Sequence, residues 1–264
     1  ALRDPRAVVA PQQTSPDALV SDALRQGARV LVSTYNEPLI TAEWAMAIFR
    51  EARAAGLRTA FVSNGNATPE VLEYIRPHID YYKVDLKSFD DRRYRELGGR
   101  LAPILDTIRR LHALDVWLEI VTLLVPGFND GPDEIDRLTS FVASVSPDIP
   151  WHVTAFHQDY KMLDHRDTRD HDLLRAADIG RRNGLRFVYA GNRPGQVGDL
   201  EDTHCPGCGE TVVSRLGYHV RSYTLTPDGV CPSCGTKVPG RWDARFDGQI
   251  ADRPFLPGRR LRVI

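Results

Sequence analysis

Four cysteines, arranged as two C-x-x-C pairs, are the clearest chemical pattern in the sequence. Cys205 and Cys208 form the first pair, Cys231 and Cys234 form the second 22 residues later, and a glycine follows each pair. A C-x-x-C turn directs two thiolates at one ion, so two such turns supply a tetrahedral site with four sulfur ligands. The pattern predicts a small ribbon built around a structural metal ion. Zn²⁺ is favoured, and iron in a rubredoxin-like site is the alternative.

A second candidate site begins with Asn36 and Glu37, which follow the apolar run from Val30 to Ser33. A carboxylate and an amide at the end of a strand can bind an ammonium group, such as the α-amino group of an amino acid. A carboxylate that only caps the following helix would have the same sequence, and this alternative stays open.

Asp85 and Lys87 end another apolar run. Alternation along a strand places their side chains on the same side, where they can hold a zwitterion or ribose hydroxyls. Two other interpretations stay open. Lys87 suits a Schiff-base nucleophile, which would make the chain an aldolase-like lyase. The two residues can also be a surface ion pair that contributes little.

Three further polar residues follow predicted strands. Asn64 lies in a turn that Gly65 permits, His157 follows the fifth apolar run, and Asn192 follows Gly191. A glycine at the end of a strand lets the backbone come close to a ligand. A lone histidine is as consistent with a structural role as with a ligand contact.

The elements that must position these residues are six apolar, often β-branched runs at about 29–33, 57–63, 80–85, 116–125, 151–156 and 185–190. Amphipathic helix patterns lie between them, as at Leu101, Ile104, Leu105 and Ile108. Repeated strand–helix units predict a parallel sheet. Polar residues after all six strands favour a TIM-like β/α barrel, whose sites lie at the carboxyl ends of the strands. Because eight strands close a full barrel, we predict a partial (β/α)6 barrel that lacks its first strand. A doubly wound sheet is the alternative.

Composition and charge exclude several classes of protein. The net charge is −1, with 42% hydrophobic and 26% charged residues, so no strong field points to nucleic acid. The sequence has no apolar stretch of the roughly 20 residues that span a membrane, and its first 13 residues contain no apolar leader segment. We therefore expect a cytoplasmic protein with no nucleic-acid or membrane partner. The pattern changes near Asp199, so we predict a barrel domain over 1–199 and a metal ribbon with a tail over 200–264.

The order of these motifs is similar to that of one known family. The chain resembles the radical S-adenosylmethionine (SAM) enzyme of the AmmeMemoRadiSam system, a relative of the pyruvate formate-lyase activating enzymes. The resemblance spans about residues 15–242 and rests on the segments Thr34–Pro38, Ser63–Gly65, Asp85–Lys87, Val125–Gly127, Ala155–Met162 and Gly191–Asn192, together with the two cysteine pairs.

The resemblance implies an enzyme that binds SAM at the carboxyl ends of the barrel strands. A [4Fe–4S] cluster would pass an electron to the sulfonium, and the resulting 5′-deoxyadenosyl radical would abstract hydrogen from a substrate, which can be a protein. By this resemblance, Asn36 and Glu37 occupy the methionine-binding loop, and Glu37 accepts a hydrogen bond from the α-ammonium group. Asn64, Asp85 and Lys87 would contact the ribose or the methionine carboxylate.

The same resemblance places His157 and Asn192 near the nucleoside. It also suggests Memo-like proteins, AMMECR-type proteins and an electron donor as partners. It leaves open the substrate, the product and the oligomeric state.

The chain departs from the family pattern in two ways. Tyr35 and Asn36 stand where better-known activating enzymes have two glycines, and Val121 stands where they have an arginine. The C-x-x-x-C-x-x-C loop that holds the cluster is missing, because all four cysteines lie in the ribbon. We therefore expect an N-terminally truncated chain that is inactive as it stands. The alternatives are a cluster-free barrel lyase that uses Lys87 and a barrel/zinc-ribbon scaffold protein.

Overall fold

The fold was determined as a computed structural model, which describes residues 13–159 and 161–242. Strand and helix alternate through most of this chain, as the apolar runs predict. The six strands of the larger sheet are β1 (Val30–Ser33), β2 (Arg58–Ser63), β3 (Tyr81–Asp85), β4 (Trp117–Leu124), β5 (Trp151–Ala155) and β6 (Val188–Gly191). The α-helices are α1 (Pro16–Arg25), α2 (Ala42–Ala54), α3 (Pro69–Ile75), α4 (Asp91–Glu96), α5 (Leu101–Ala113), α6 (Pro132–Val145) and α7 (Asp170–Arg182). Short 3-10 helices cover Pro38–Thr41 and Arg76–His78.

All six strands are parallel, and each pairs with the next strand in the chain, in the order β1-β2-β3-β4-β5-β6. The predicted parallel sheet is therefore confirmed. In a sheet with this order, right-handed crossovers place every connecting helix on the same face. Within residues 13–159 and 161–242, the other face is therefore left without a connecting helix. The carboxyl ends of all six strands meet at one edge, which we call the C-terminal edge.

The helix-covered face holds the main hydrophobic core. Phe61, Val84, Ile120 and Val153 are buried there against the helices. Gly180, inside α7, shows how tightly they pack, because a Cβ atom at this position would lie 3.0 Å from the Trp151 ring. The glycine lets the helix approach the sheet and offsets its own low helix propensity.

Side chains of opposite parity point to the other face, which we call the open face. It is lined by Val62, Lys83, Asp85, Glu119, Val121, His152 and Tyr189, all of which are half-buried. The strand register places Lys83 beside Glu119 and aligns Val121, His152 and Tyr189. Charged side chains in the middle of strands therefore converge on the open face.

The cysteine pairs lie in a separate antiparallel sheet of β7 (Thr203–His204), β8 (Thr211–Leu216) and β9 (His219–Tyr223). A second buried cluster surrounds it, and this cluster includes Val212, Val238 and Phe187, the last of which precedes β6. The predicted domain boundary near Asp199 stays a prediction. The start of the first predicted domain, residues 1–12, and the end of the second, residues 243–264, lie outside the described residues. Among the described residues, no helix has both the length and the apolar character needed to cross a membrane.

Candidate functional site

Glu37 ties two loops together at the C-terminal edge. Its Oε1 atom accepts hydrogen bonds from the Ser63 hydroxyl at 2.7 Å and the Leu39 amide at 3.2 Å, and its Oε2 atom accepts from the Asn64 amide at 2.8 Å. The carboxylate therefore caps the 3-10 helix, which is one of the two roles that the sequence allows. It also fixes the loop after β1 to the turn after β2, which places Glu37 and Asn64 in contact.

Three residues with left-handed backbones follow strands at this edge. Tyr35 and Asn36 have φ angles of 66° and 50°, and Asn192 has a φ angle of 64°. In the described chain, Asp115 is the only other non-glycine residue with a positive φ, and it precedes β4. Such conformations cost free energy, and they concentrate where a protein positions groups for function. Tyr35 is 86% exposed, so packing of its side chain does not explain its backbone conformation.

Asp85 and Lys87 form an ion pair at the end of β3, with 3.2 Å between Lys87 Nζ and Asp85 Oδ2. The Lys87 amide donates to the Tyr94 hydroxyl at 2.9 Å, and the Lys87 carbonyl accepts from the Asn129 side chain at 2.7 Å. The backbone of this turn is therefore rigid, while the charged ends remain about one-third to one-half exposed. An exposed pair of this kind contributes little to stability, so it can exchange partners with a ligand.

The loops after β5 and β6 also meet at this edge. The Asn192 side chain donates to the Ala155 carbonyl at 3.1 Å. His157 is exposed, and its ring makes no hydrogen bond within the described residues. The structure thus joins Glu37 to Asn64, Asp85 to Lys87 and Asn192 to the end of β5, and it leaves His157 separate from these contacts.

The open face contains a cluster of hydrogen-bonded side chains that the sequence motifs do not reveal. Glu119 Oε2 lies 2.8 Å from His152 Nε2, and Glu119 Oε1 accepts a hydrogen bond from Trp117 Nε1 at 3.0 Å. Burial alone would raise the pKa of the Glu119 carboxyl. The hydrogen bond and charge of His152, the Trp117 bond and the Lys83 charge outweigh burial and lower this pKa below its ordinary value.

The His152 ring also stacks on Tyr189, with 5.0 Å between ring centroids and 23° between ring planes. The Tyr189 hydroxyl lies 2.9 Å from Thr203 Oγ1, and the guanidinium of Arg215 lies 5.8 Å from the centre of the Tyr189 ring. The imidazole is therefore held by a carboxylate on one side and by a fixed aromatic ring on the other. In the sequence, the period-2 pattern of β4 places Trp117, Glu119 and Val121 on the same face of the strand. It does not show which residue of β5 lies opposite Glu119.

The four cysteines form one compact group, with all four Sγ atoms within 4.8 Å of one another. The Cys205–Cys234 and Cys208–Cys231 sulfur pairs are 3.5 and 3.8 Å apart. Four thiolates at about 2.3 Å from one tetrahedral ion would be about 3.8 Å apart, so the group fits a single metal ion. Thiolates of a [4Fe–4S] cluster bind different irons and spread farther apart, so the group does not fit a cluster.

The turns of the ribbon hold these sulfurs in position. The Cys205 and Cys231 amides donate to the Glu210 and Thr236 carbonyls at 2.8 and 2.9 Å. Hydrogen bonding with Thr236, whose hydroxyl lies 3.2 Å from the Cys234 sulfur, is the largest of the effects that lower the pKa of that thiol to about 6; the Thr236 backbone and the neighbouring Cys208 thiol also lower it. The ligand set that the cysteine spacing predicts is therefore brought together.

The radical SAM superfamily model matches residues 5–139, just over half of the chain. The chain belongs to the radical SAM superfamily. It is 29% identical to the uncharacterized protein MJ0808 of Methanocaldococcus jannaschii over 229 residues, which are 86% of this chain and 68% of that protein.

Activating enzymes are also similar to this superfamily member. The isethionate sulfite-lyase activating enzyme of Oleidesulfovibrio alaskensis is 27% identical, over 53% of this chain and 47% of that enzyme. The pyruvate formate-lyase-activating enzyme of Staphylococcus aureus is 26% identical, over 50% of this chain and 55% of that enzyme. The chain therefore matches about half of the length of these enzymes.

Solved structures show the same fold. A domain of a pyruvate-formate lyase-activating enzyme from Bacteroides vulgatus aligns with a TM-score of 0.55 and 21% identity, over 61% of this chain and 98% of that domain. SuiB of Streptococcus suis, bound to S-adenosylmethionine, aligns with a TM-score of 0.57 and 12% identity, over 70% of this chain and 45% of SuiB.

Proposed function

We propose that this chain binds SAM at the C-terminal edge of a partial (β/α)6 barrel, as an activating-enzyme-like radical SAM protein. The observation that carries the proposal is the convergence at this edge of loops from several strands, each fixed by a polar contact. A sheet in sequential order with all its helices on one face is also the arrangement from which a barrel is built.

The polar groups at the edge match the chemistry of SAM. The methionine part of SAM is a zwitterion, and Asp85 and Lys87 offer one charge of each sign. Glu37 carries a fixed carboxylate for the α-ammonium group, and Asn36 and Asn64 offer exposed or half-exposed amides for carboxylate or ribose oxygens.

Asn192 and His157, on the far side of the edge, are proposed to face the nucleoside. Bound SAM would supply a 5′-deoxyadenosyl group for hydrogen abstraction once an electron reaches its sulfonium.

The residues of this chain do not fit the [4Fe–4S] cluster that delivers the electron. All four cysteines belong to the compact group in the ribbon. We therefore propose that the 264 residues of this chain bind SAM and do not cleave it by themselves. For the ribbon we propose Zn²⁺, because a closed tetrahedral set of four thiolates suits a structural zinc site.

The order of motifs supports a place in the AmmeMemoRadiSam group. That placement would make Memo-like and AMMECR-type proteins partners of this chain. The similarity to activating enzymes supports a protein substrate.

Calorimetric titration with SAM tests the proposal without any turnover. The wild-type chain is expected to bind SAM, and Lys87→Met is expected to weaken binding about tenfold or more, because a hydrogen bond to a charged group contributes about 1.5–3 kcal/mol. Lys237→Met, which changes a lysine in the ribbon, is the matched control and should leave the affinity unchanged.

Failure of the wild-type chain to bind SAM would contradict the proposal and favour the scaffold interpretation. Equal loss in both lysine variants would show a general effect of charge and would remove Lys87 from the site.

A further inference from the structure

A large cleft lies at the edge of the sheet where the strands begin, opposite the C-terminal edge. Its volume is about 1180 Å³, and we call it the basal cleft. Val30, Arg58 and Tyr81, the first residues of β1, β2 and β3, line it on the sheet. The ribbon contributes Lys237 and Trp242 to its lining. Pockets for small molecules usually have volumes of about 300–1000 Å³, so this cleft has room for an extended ligand.

Cations outnumber carboxylates in the basal cleft. The carboxylates among its described lining residues are Asp80, Asp115 and Asp228, and the cations are Arg29, Arg53, Arg58, Arg76, Lys237 and Arg241. The positive charge also acts on the neighbouring His78. Its pKa is lowered by burial first and then by the charges of Arg50 and Arg53. The charge balance of the cleft therefore favours an anionic ligand.

The carboxylates of the cleft leave part of this positive charge without a counter-ion. Asp80 alone serves two arginines, with its Oδ2 2.7 Å from Arg53 Nη1 and its Oδ1 3.3 Å from Arg58 Nη1. Asp115 Oδ1 lies 3.3 Å from Arg241 Nη2. The Arg58 side chain is 65% exposed, so most of the donors of its guanidinium group remain available to a ligand.

Two other cations of the cleft, Arg76 and Lys237, have no carboxylate partner in the described chain. Arg76 Nε donates to the neutral Leu114 carbonyl at 2.7 Å. Lys237 is exposed, and among residues 13–159 and 161–242 its Nζ makes no hydrogen bond and no ion pair within 4.0 Å. The exposed Asp228 makes no ion pair with any of these described residues. An anionic ligand therefore meets unpaired positive charge on both the sheet and the ribbon.

Apolar side chains lie among these charges. Leu24 is 48% exposed and Val30 is 38% exposed, and both line the cleft. The lining residues at or just before the starts of β1 to β4 form a row. Neighbouring strands are about 4.8 Å apart, so this row is about 14 Å long. A peptide chain fits this length and this mixture of charged and apolar surface better than a single inorganic anion does.

We propose that the basal cleft is a docking site for an acidic, extended segment of a partner protein. Carboxylates of the segment pair with Arg58 on the sheet and with Lys237 on the ribbon, and its apolar side chains contact Val30. Arginines of the cleft already bind the carboxylates of Asp80 and Asp115, so the cleft suits this type of anion. The site lies at the opposite edge of the sheet from the proposed SAM site and does not depend on SAM binding.

Fluorescence anisotropy of a labelled peptide tests the site on the full chain. The probe is a glutamate-rich peptide of about eight residues that contains leucine, which spans about 26 Å when extended. The comparison peptide carries glutamine in place of each glutamate, and tripolyphosphate serves as a competing anion without apolar groups. The probe is expected to bind saturably. The glutamine peptide should bind at least about tenfold more weakly, because it lacks the charges that the cations of the cleft bind.

Substitutions on the sheet and on the ribbon locate the bound peptide. Arg58→Gln leaves Arg53 beside Asp80, and Lys237→Gln removes no side-chain contact in the described chain, so both variants should fold normally. Each should weaken binding of the glutamate peptide about threefold to tenfold, the range expected for one hydrogen bond. Arg92→Gln is the matched control, because it removes the same charge from an 89% exposed side chain on α4. It should leave the affinity unchanged.

Acetylation footprinting of the wild-type chain provides a second test that needs no variant. The sequence has only four lysines, Lys83, Lys87, Lys161 and Lys237, so limiting acetic anhydride and mass spectrometry give a rate at each one. The glutamate peptide should slow acetylation of Lys237 over the same concentration range in which it binds. Acetylation of Lys87 and Lys161 should not change.

Failure of the full chain to bind the glutamate peptide would overturn the proposal. Equal binding of the two peptides, equal effects of Arg92→Gln and Arg58→Gln, or equal protection of all four lysines would also overturn it. Displacement of the labelled peptide by tripolyphosphate at lower concentrations than by the unlabelled peptide would indicate a phosphate site instead, and it would overturn the proposal as well.

Discussion

Substitution Glu37→Gln tests whether one carboxylate holds the C-terminal edge together. The glutamate accepts three hydrogen bonds, two of them from the backbone amides of Leu39 and Asn64. A glutamine has one oxygen, so its NH₂ group must face one of these two amides in either orientation. At least one backbone N–H group near the buried Ser63 therefore loses its acceptor.

The expected cost follows from that single lost bond. A hydrogen bond between a charged group and a backbone amide contributes about 1.5–3 kcal/mol, so the free energy of unfolding should fall by about 2 kcal/mol. For a chain of this size, that corresponds to a decrease in Tm of about 4–8 °C. Hydrogen exchange at the Asn64 amide should become about tenfold faster or more, because the loop after β2 opens more easily.

The matched control is Glu51→Gln, which changes an exposed carboxylate on α2 with the same loss of charge. It should alter stability by less than about 0.5 kcal/mol. Urea unfolding gives the free energy, and exchange measured by NMR gives the local effect. If Glu37→Gln behaves like the control in both measurements, Glu37 does not tie the two loops together and the reasoning fails.

Two further outcomes are expected away from the edge. Asp172 is 1% exposed, and the Arg166 guanidinium donates two hydrogen bonds to its carboxylate. These bonds lower the pKa of Asp172 from 3.8 to about 2. The charged carboxylate therefore stabilises the fold above about pH 4, and this stabilisation is lost as the pH falls toward 2. In urea unfolding, Asp172→Asn should lower the free energy of unfolding by about 2 kcal/mol at pH 6. The difference in this free energy between wild type and variant should shrink between pH 4 and 2, and a difference that stays constant would contradict the assignment. Chelation of the ribbon metal should release one ion per chain and change the fluorescence of Trp242, which contacts Tyr223. The amides of β8 and β9 should then lose their protection from hydrogen exchange before those of the larger sheet. Simultaneous loss of protection in both sheets would show that the metal supports the whole chain.

The sequence predicts the elements better than it predicts the contacts between them. Each strand lies within a few residues of its apolar run, because strand period and β-branched composition are local properties. The cysteine group was also predictable, because C-x-x-C spacing fixes two ligands locally.

The contact between Glu119 and His152 depends on how β4 and β5 align across 33 residues, which no local pattern specifies. For the same reason, the sequence places Glu37 at a strand end but does not show that it accepts from the loop after β2. His157 shows the converse case. Its position after a strand predicts a chemical role, but its ring makes no hydrogen bond in the described chain.

The order of the strands also has a consequence for how the chain folds. Every strand of the larger sheet pairs with its neighbour in the chain, so each strand–helix unit can join the preceding strand soon after it is synthesised. The most distant described hydrogen bond joins Arg241 to Asp115, 126 residues apart, and it forms only when the ribbon is complete. Loop-closure entropy disfavours such a contact early in folding, so we expect the contact between Arg241 and Asp115 to be among the last to form.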